Sequence, residues 1–300
     1  MSILITGATG FIGKHLFLQL NELGYNVTGL SLRGGIINNE KIFSVDLKNR
    51  QEVNTFFQDH AFDIIIHMAA HIPNSTNNST DKNYLIHNLL STYNLLNEFG
   101  QSNTQKFIFS SSISVFGTYN IGYVNEKTEI NAETFYSAGK YCEEVIINQY
   151  GLHTKKVTTI LRIPSPYGPG LNTQAVIPTF INLALNSKDI SIYGSGERSQ
   201  NFIYITDVVN AFLAAVQKNC PGSFNIGSAQ STSTKNLAEI ILSSIPNTNS
   251  KIIFTGNPDP HEYYRLKINI EKAKRELPFF PQVSIKEGIK RYSDYLKKTN

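Results

Sequence analysis

Seven residues near the start of the chain, Gly7-Ala8-Thr9-Gly10-Phe11-Ile12-Gly13, limit its possible folds more than any other stretch. They follow a short apolar run, Ser2 to Thr6, which reads as a buried parallel strand. They precede Lys14 to Leu23, where Leu16, Phe17, Leu20 and Leu23 share one helical face. Glycines in this position allow a tight turn, let a pyrophosphate approach the backbone and bring helix close to strand. The helix N-terminus adds free N–H groups and the positive end of a dipole. Strand, loop and helix together predict dinucleotide binding, with Gly7, Thr9, Gly10, Phe11, Ile12 and Gly13 as contacts.

The same alternation continues. A second strand is expected over Asn26 to Leu30, and the residue just past it should read the adenosine ribose. An acid there would bind a 2′-hydroxyl, and an arginine would accept a 2′-phosphate. The chain has Ser31, then Arg33, with no acid, which favours NADP(H) and leaves NAD open. The third strand, Ile42 to Val45, ends in Asp46 and Leu47, placed to touch an adenine. The fourth, Phe62 to His67, runs into Met68, Ala69 and Ala70, where a cofactor can lie across the strand end. His67 and His71 read as packed or hydrogen-bonded side chains outside the chemistry. Pro73 to Thr80 is a polar loop, followed by a helix from about Asp81 to Phe99. Lys106 to Phe109 is the fifth strand, with Ser110-Ser111-Ser112 at its carboxyl end, and Val157 to Arg162 is the sixth. Ile163, next in the chain, completes the expected cofactor contacts. The pattern predicts an α/β chain with a doubly wound parallel sheet.

Between the last two strands lies Tyr136-Ser137-Ala138-Gly139-Lys140, opening a helix expected as far as Tyr150. Residues at i and i+4 stack on one helical face, so the phenol and the ammonium can share a site. A nearby positive charge favours a phenolate and lowers the phenol's pKa toward useful proton exchange with an alcohol or ketone. A hydroxyl from the serine run can hold the substrate oxygen while Tyr136 exchanges its proton.

The chain has 300 residues, 41% hydrophobic and 17% charged, enough for a large core and a second, smaller lobe. The net charge of +4 is scattered and forms no nucleic-acid or membrane surface. Two cysteines, Cys142 and Cys220, make neither a disulfide framework nor a metal site. With no secretory pattern in the opening residues and no apolar run of spanning length, a cytoplasmic location is expected. After Arg162 the texture changes to Ile163-Pro164-Ser165-Pro166-Tyr167-Gly168-Pro169-Gly170, as where a chain changes lobes. Beyond it come a helix over Gln174 to Asn186, strands at Ile190 to Tyr193 and Phe202 to Ile205, and Thr206-Asp207 as a cap for a helix over Val208 to Lys218. Residues 1–163 with about 200–226 are expected to form the dinucleotide domain, and 164–199 with about 227–300 the substrate lobe.

These motifs, in this order, resemble the extended short-chain dehydrogenase/reductase family, in its nucleotide-sugar epimerase/dehydratase branch. The resemblance rests on Gly7-x-x-Gly10-x-x-Gly13, His67-Met68-Ala69-Ala70, Ser110-Ser111-Ser112 leading to Val115-Phe116-Gly117, and Tyr136-x-x-x-Lys140. It continues through Arg162 with Tyr167-Gly168-Pro169-Gly170, and Phe202-Ile203-Tyr204 before Asp207-Val208. It implies a Rossmann domain with a discontinuous substrate lobe, Ser112 as catalytic hydroxyl, Tyr136 as acid/base, and Lys140 as its partner at the ribose. It further implies a nucleotide-diphosphate sugar held by Ser111, Ser112, Ser165, Pro178, Tyr193, Arg198, Gln200 and Arg265, and a homodimer built through the helices after Asp81 and from Tyr136.

Departures from the family pattern bear on the activity. The 4,6-dehydratases follow the catalytic hydroxyl with Asp-Glu, where this chain has Ile113 and Ser114, so dehydration is not expected. Many epimerases carry asparagine at the place of Ser165 and Arg-Asp at the place of Gln200-Asn201, which passes the diphosphate contact to Arg198 or Arg265. The leading expectation is an NADP(H)-preferring reductase of a 4-keto deoxysugar nucleotide. A C4 epimerase retaining NAD comes second, and a noncatalytic dinucleotide sensor third.

Overall fold

The computed structural model describes residues 1–73, 81–117, 122–171, 174–228 and 230–299. Residues 74–80 of the loop expected after Pro73 lie outside them. The first half contains β1 (Ser2–Thr6), α1 (Phe11–Glu22), β2 (Asn26–Ser31), β3 (Gly35–Ile37), β4 (Glu40–Ser44), α2 (Arg50–Asp59), β5 (Ile64–His67), α3 (Asn83–Gln101), β6 (Lys106–Ser112), β7 (Tyr123–Val124) and α4 (Phe135–Thr154). The second half contains β8 (Val157–Ile163), β9 (Ser165–Tyr167), α5 (Val176–Leu185), β10 (Ile190–Ile192), β11 (Ser199–Gln200), β12 (Phe202–Tyr204), α6 (Ile205–Gln217), β13 (Gly222–Asn225), β14 (Thr232–Ser233), α7 (Thr234–Ser244), β15 (Ile252–Phe254), β16 (Lys267–Ile268), α8 (Glu271–Glu276) and α9 (Ile285–Thr299).

One eight-stranded sheet, ordered β13-β8-β6-β5-β1-β2-β4-β3, forms the centre of the α/β fold. It is parallel except for the antiparallel edge pair β3 and β4. Strand alternation divides its side chains between two cores. Ile3, Ile5, Ile64, Ile66 and Ile108 join one hydrophobic cluster, while Leu4, Ile65, Phe107, Phe109 and Ile160 join the other. The first cluster packs against α1 and α6, and the second against α2, α3 and α4. Coverage on both faces explains why the central strands read as apolar runs.

Strand order reverses between β1 and β5, so the crevice where open α/β sheets bind ligands falls between the loops after these two strands. On one face of the sheet α3 lies along α4, and Gly139 permits the approach. A Cβ on Gly139 would stand 3.0 Å from the Leu85 Cα. Helix α4 is started by Thr134, whose hydroxyl accepts from the Ser137 backbone N–H while the Ser137 side chain binds back to the Thr134 backbone.

Several elements differ from expectation. Helix α2 has no counterpart in the sequence reading, because only Val53 and Phe56 among its residues are buried and its apolar stripe is short. It is started instead by Asn49, whose side chain accepts from Gln51 and Glu52 N–H groups. The Pro/Gly-rich stretch after Arg162 holds a strand, β9, paired in parallel with β12. Thr206-Asp207 does not cap α6, which opens at Ile205 with Tyr204 as its N-cap residue and no side-chain cap. Asp207 sits inside the first turn, buried, and its two carboxylate oxygens accept the backbone N–H groups of Gln282 and Val283, each at 3.0 Å. Among the described residues, no helix is long and apolar enough to cross a membrane.

Asp207 therefore ties the carboxyl-terminal segment to α6. Asp207→Ala leaves two N–H groups without their acceptor and is expected to cost about 1–3 kcal/mol, read as a lower urea midpoint with unchanged slope.

Candidate active site

The glycine loop is shaped by its neighbours. A Cβ on Gly13 would fall 2.1 Å from the Gly7 carbonyl oxygen, and one on Gly7 would fall 2.8 Å from the Ala69 nitrogen. Gly7 also has φ +71°, a conformation that disfavours side chains. Helix α1 begins at Phe11 with Gly10 as its N-cap residue, and no side chain caps its first N–H groups. A close-walled loop ending in an uncapped helix N-terminus fits a dinucleotide pyrophosphate. Thr9, Phe11 and Ile12 lie in this turn, and Met68, Ala69 and Ala70 face it from the end of β5.

At the expected adenosine end, Ser31 is buried and its hydroxyl donates to the Gly34 carbonyl at 3.3 Å, while Arg33 is exposed. Asp46 folds onto its own turn: Oδ1 accepts the Lys48 N–H at 3.0 Å, and its backbone N–H donates to Glu52 at 2.8 Å. The carbonyl of Leu47 is held by the Asn94 amide at 2.9 Å, anchoring this turn to α3.

The residues expected to carry the chemistry lie where β6 and α4 meet. Ser112, last residue of β6, sits in register with Ile163 of β8. It also starts a short 3-10 turn over Ile113–Phe116 by accepting the Ser114 N–H at 3.2 Å. Its hydroxyl is hydrogen-bonded to the Tyr136 phenol, so the two groups proposed to bind one oxygen do meet. Lys140 is 2% exposed, donates to the Ser110 carbonyl at 3.2 Å and lies 4.4 Å over the Phe109 ring.

The electrostatics differ from the sequence expectation. The Tyr136 pKa is raised and not lowered, and the Lys140 ammonium faces a buried carboxylate, Glu143, at 3.3 Å. Burial, and after it the charge of Glu143, push the Tyr136 phenol up, opposed by the hydrogen bond with Ser112. Burial likewise raises Glu143, opposed by Lys140 and by the Thr92 hydroxyl. The next residue, Glu144, takes two bonds from Arg162 Nε at 3.0 and 3.2 Å and one from Nη2 at 2.7 Å. It also accepts the Ser111 hydroxyl at 2.5 Å. Ser111 thus points away from Ser112 into a structural clamp joining β6, β8 and α4, which does not match its expected substrate role.

Glu143 and Glu144 were missed in the sequence although their spacing from Lys140, i+3 and i+4, puts them on its helical face. His67 is buried as expected, held between the hydroxyls of Thr6 and Thr92 at 2.7 and 2.9 Å. Burial, and then Lys140, hold it well below the ordinary histidine pKa, so it is neutral.

The expected substrate residues cluster in part. Ser165 on β9 donates to the Gln200 side chain at 3.4 Å. A β-bridge sets Ser199 beside Arg265, whose guanidinium donates to the Glu262 and Tyr264 carbonyls at 2.5 and 3.2 Å. Arg198 is partly exposed and 3.7 Å from Asp259. Pro178 is buried in the first turn of α5, whereas Tyr193 stands 54% exposed at the end of β10. Asn201 is buried and holds Ser228, donating to its carbonyl at 3.1 Å and accepting its N–H at 2.8 Å.

Residues 3–227 match the NAD dependent epimerase/dehydratase family. The chain is 29% identical over 99% of its length to the human dTDP-D-glucose 4,6-dehydratase, covering 90% of that protein. It is 32% identical to a putative UDP-glucose 4-epimerase of Methanocaldococcus jannaschii, covering 99% of each chain. Among solved structures, the Thermotoga maritima UDP-glucose 4-epimerase with UDP-glucose superposes with a TM-score of 0.90 at 25% identity, covering 100% of this chain and 99% of that one. The Bacillus cereus UDP-glucuronic acid 4-epimerase in complex with UDP-glucuronic acid and NAD gives 0.87 at 27% identity, covering 100% of each. Glycine cradle, Ser112/Tyr136/Lys140 centre and these likenesses converge: the chain belongs to the NAD-dependent epimerase/dehydratase family, the extended short-chain dehydrogenase/reductase enzymes that act on nucleotide sugars.

Proposed function

We propose that the protein interconverts C4 epimers of a nucleoside-diphosphate hexose, keeping NAD through the cycle. The observation that carries this reading is the single proton-exchanging pair, Ser112 with Tyr136, beside two residues that cannot move further protons. Ile113 is buried and apolar, and Ser114 is a neutral alcohol, so the acids needed to eliminate water are missing. Oxidation and re-reduction at one alcohol require only one acid/base. The likeness to solved 4-epimerases supports the same choice, and it moves epimerisation ahead of the net reduction expected from sequence.

Gly7, Thr9, Gly10, Phe11, Ile12 and Gly13 would hold the pyrophosphate, Ser31, Arg33, Asp46 and Leu47 the adenosine end, and Met68, Ala69, Ala70 and Ile163 the floor beneath the nicotinamide. Bound there, NAD supplies the hydride acceptor, and its cationic ring adds positive charge that favours the phenolate. Ser112 orients the C4 oxygen, Tyr136 takes its proton and later returns it, and Lys140 holds the cofactor ribose. Arg198, Gln200 and Arg265 would grip the diphosphate, with Ser165, Pro178 and Tyr193 around the sugar and base. In this reading residues 1–163 with about 200–226 carry the cofactor, and 164–199 with about 227–300 the sugar. The two unpaired cysteines, Cys142 and Cys220, suit a cytoplasmic enzyme. The second reading, NADPH-dependent reduction of a 4-keto sugar, is favoured by the lack of an acid beside Ser31.

Incubation with UDP-glucose and UDP-glucuronic acid is expected to yield the C4 epimer without added cofactor, and Tyr136→Phe to lower kcat by about 100-fold or more. Absence of any epimer together with consumption of NADPH by a 4-keto sugar would establish the second reading. Gly13→Ala forces a Cβ against the Gly7 carbonyl, and is expected to weaken NADH binding by about tenfold or more in a fluorescence titration. Exposed Ile86, Leu90 and Tyr93 on α3 and Tyr141 and Val145 on α4 offer an apolar face for a second copy of the chain. Light scattering should report a dimer, and Leu90→Lys should shift it to monomer.

A further inference from the structure

We propose that Glu143 is a positioning residue for the Tyr136 and Lys140 pair, the anionic end of a buried hydrogen-bond chain that starts beneath the glycine loop. The inference rests on the reading of Tyr136 as acid/base and is independent of which sugar is bound.

The direction of every bond in the chain follows from the donors available. The backbone N–H groups of Met68 and Ala69 both reach the Thr6 hydroxyl oxygen at 3.2 Å, so this oxygen accepts from them. Its proton then goes to His67 Nδ1 at 2.7 Å. Neutral His67 must carry its own proton on Nε2, which donates to the Thr92 oxygen at 2.9 Å. Thr92 in turn donates to Glu143 Oε1 at 2.5 Å, and Glu143 Oε2 faces the Lys140 ammonium at 3.3 Å. All of these side chains are buried, with Thr6, His67, Thr92 and Glu143 at 0% exposure. Aligned donors polarise one another and converge on an acceptor, which is the arrangement that stabilises a carboxylate rather than a carboxylic acid.

Burial and the neighbouring Glu144 oppose the charge on Glu143, and Lys140 and the Thr92 hydroxyl favour it. The charged and titratable neighbours of Glu143 on α4 are Tyr136, Lys140 and Glu144; β5 contributes neutral His67, α3 the neutral Thr92 hydroxyl, and β8 Arg162, which neutralises Glu144. Lys140 thus divides its ammonium between Glu143 and the Ser110 carbonyl, with capacity left for a ribose, and the charge of Glu143 acts on a phenol that must ionise. Glu143 holds Tyr136 as a proton donor at rest and anchors Lys140 against β6. The strand ends that carry the glycine loop and Met68-Ala69 are joined to the acid/base pair by the same chain of bonds.

The test is 19F NMR of protein labelled with 3-fluorotyrosine, whose phenol ionises lower than that of tyrosine, with the Tyr136 resonance assigned by its loss in Tyr136→Phe. In Glu143→Gln, which keeps the size and the acceptor for Thr92, the Tyr136 midpoint is expected to fall by one pH unit or more, about tenfold more phenolate at a fixed pH. Thr92→Val, which removes a bond favouring the anion, should move it the same way by less, and it carries the measurement if Glu143→Gln does not fold. A Tyr136 midpoint unchanged in the folded variants would overturn the proposal and reduce Glu143 to a packing residue. If the midpoint moves but wild-type protein converts no nucleotide sugar, the functional reading falls and the role of Glu143 stands.

Discussion

The site depends on one geometric constraint, the parallel pairing of β1 with β5 and of β5 with β6. Parallel strands deliver all their carboxyl ends to one edge, so Gly7, Met68 and Ser112, distant in sequence, arrive together. A shift of one residue in the β5–β6 register would exchange Ser112 with Ser111 and send the hydroxyl proposed to be catalytic into the clamp on Glu144. That register is held by isoleucine and phenylalanine side chains that interlock on both faces of the sheet. Burial on both faces is therefore a condition of the chemistry as well as of stability.

On this frame α4 carries an unusual load of buried charge: Lys140, Glu143 and Glu144 within five residues, each nearly inaccessible. Unpaired, any of them would be costly to bury, and a broken pair costs more than the intact one gains. Glu144 is satisfied by a guanidinium and a serine, and fixes the helix to β6 and β8. Glu143 is paired with an ammonium and accepts from a polarised hydroxyl chain, and acts on the phenol two turns away. Neighbouring carboxylates of the same helix are thus divided between holding the scaffold and setting the electrostatics of the reacting group.

Much of this could be read from sequence, and the misses have physical causes. The central strands were legible because strands buried on both faces are written as apolar runs, and the glycine loop because its spacing serves a single turn. Helix α2 was not, since it buries only Val53 and Phe56 and depends on the Asn49 cap. The β9–β12 pair was hidden in a stretch whose prolines and glycines read as a linker. Asp207 has the residue type of a cap but is used to accept N–H groups 75 and 76 residues away, which no local pattern reports. The Tyr136 and Lys140 pair was expected from its spacing and Ser112 from the family resemblance, and the structure sets the Ser112 hydroxyl against the Tyr136 phenol. The upward shift of Tyr136 was not expected, because it comes first from burial of the phenol by the folded chain and then from the charge of Glu143.

The proposed function requires reversible hydride transfer at one sugar carbon. It is tested most directly with a nucleotide hexose deuterated at sugar C4, followed by mass spectrometry of the product. A C4 epimer that keeps its deuterium with no exchange into solvent is expected, because the label leaves as hydride and returns to the same carbon. An epimer that has lost deuterium to water, or no epimer from a protein that binds NAD, would contradict it.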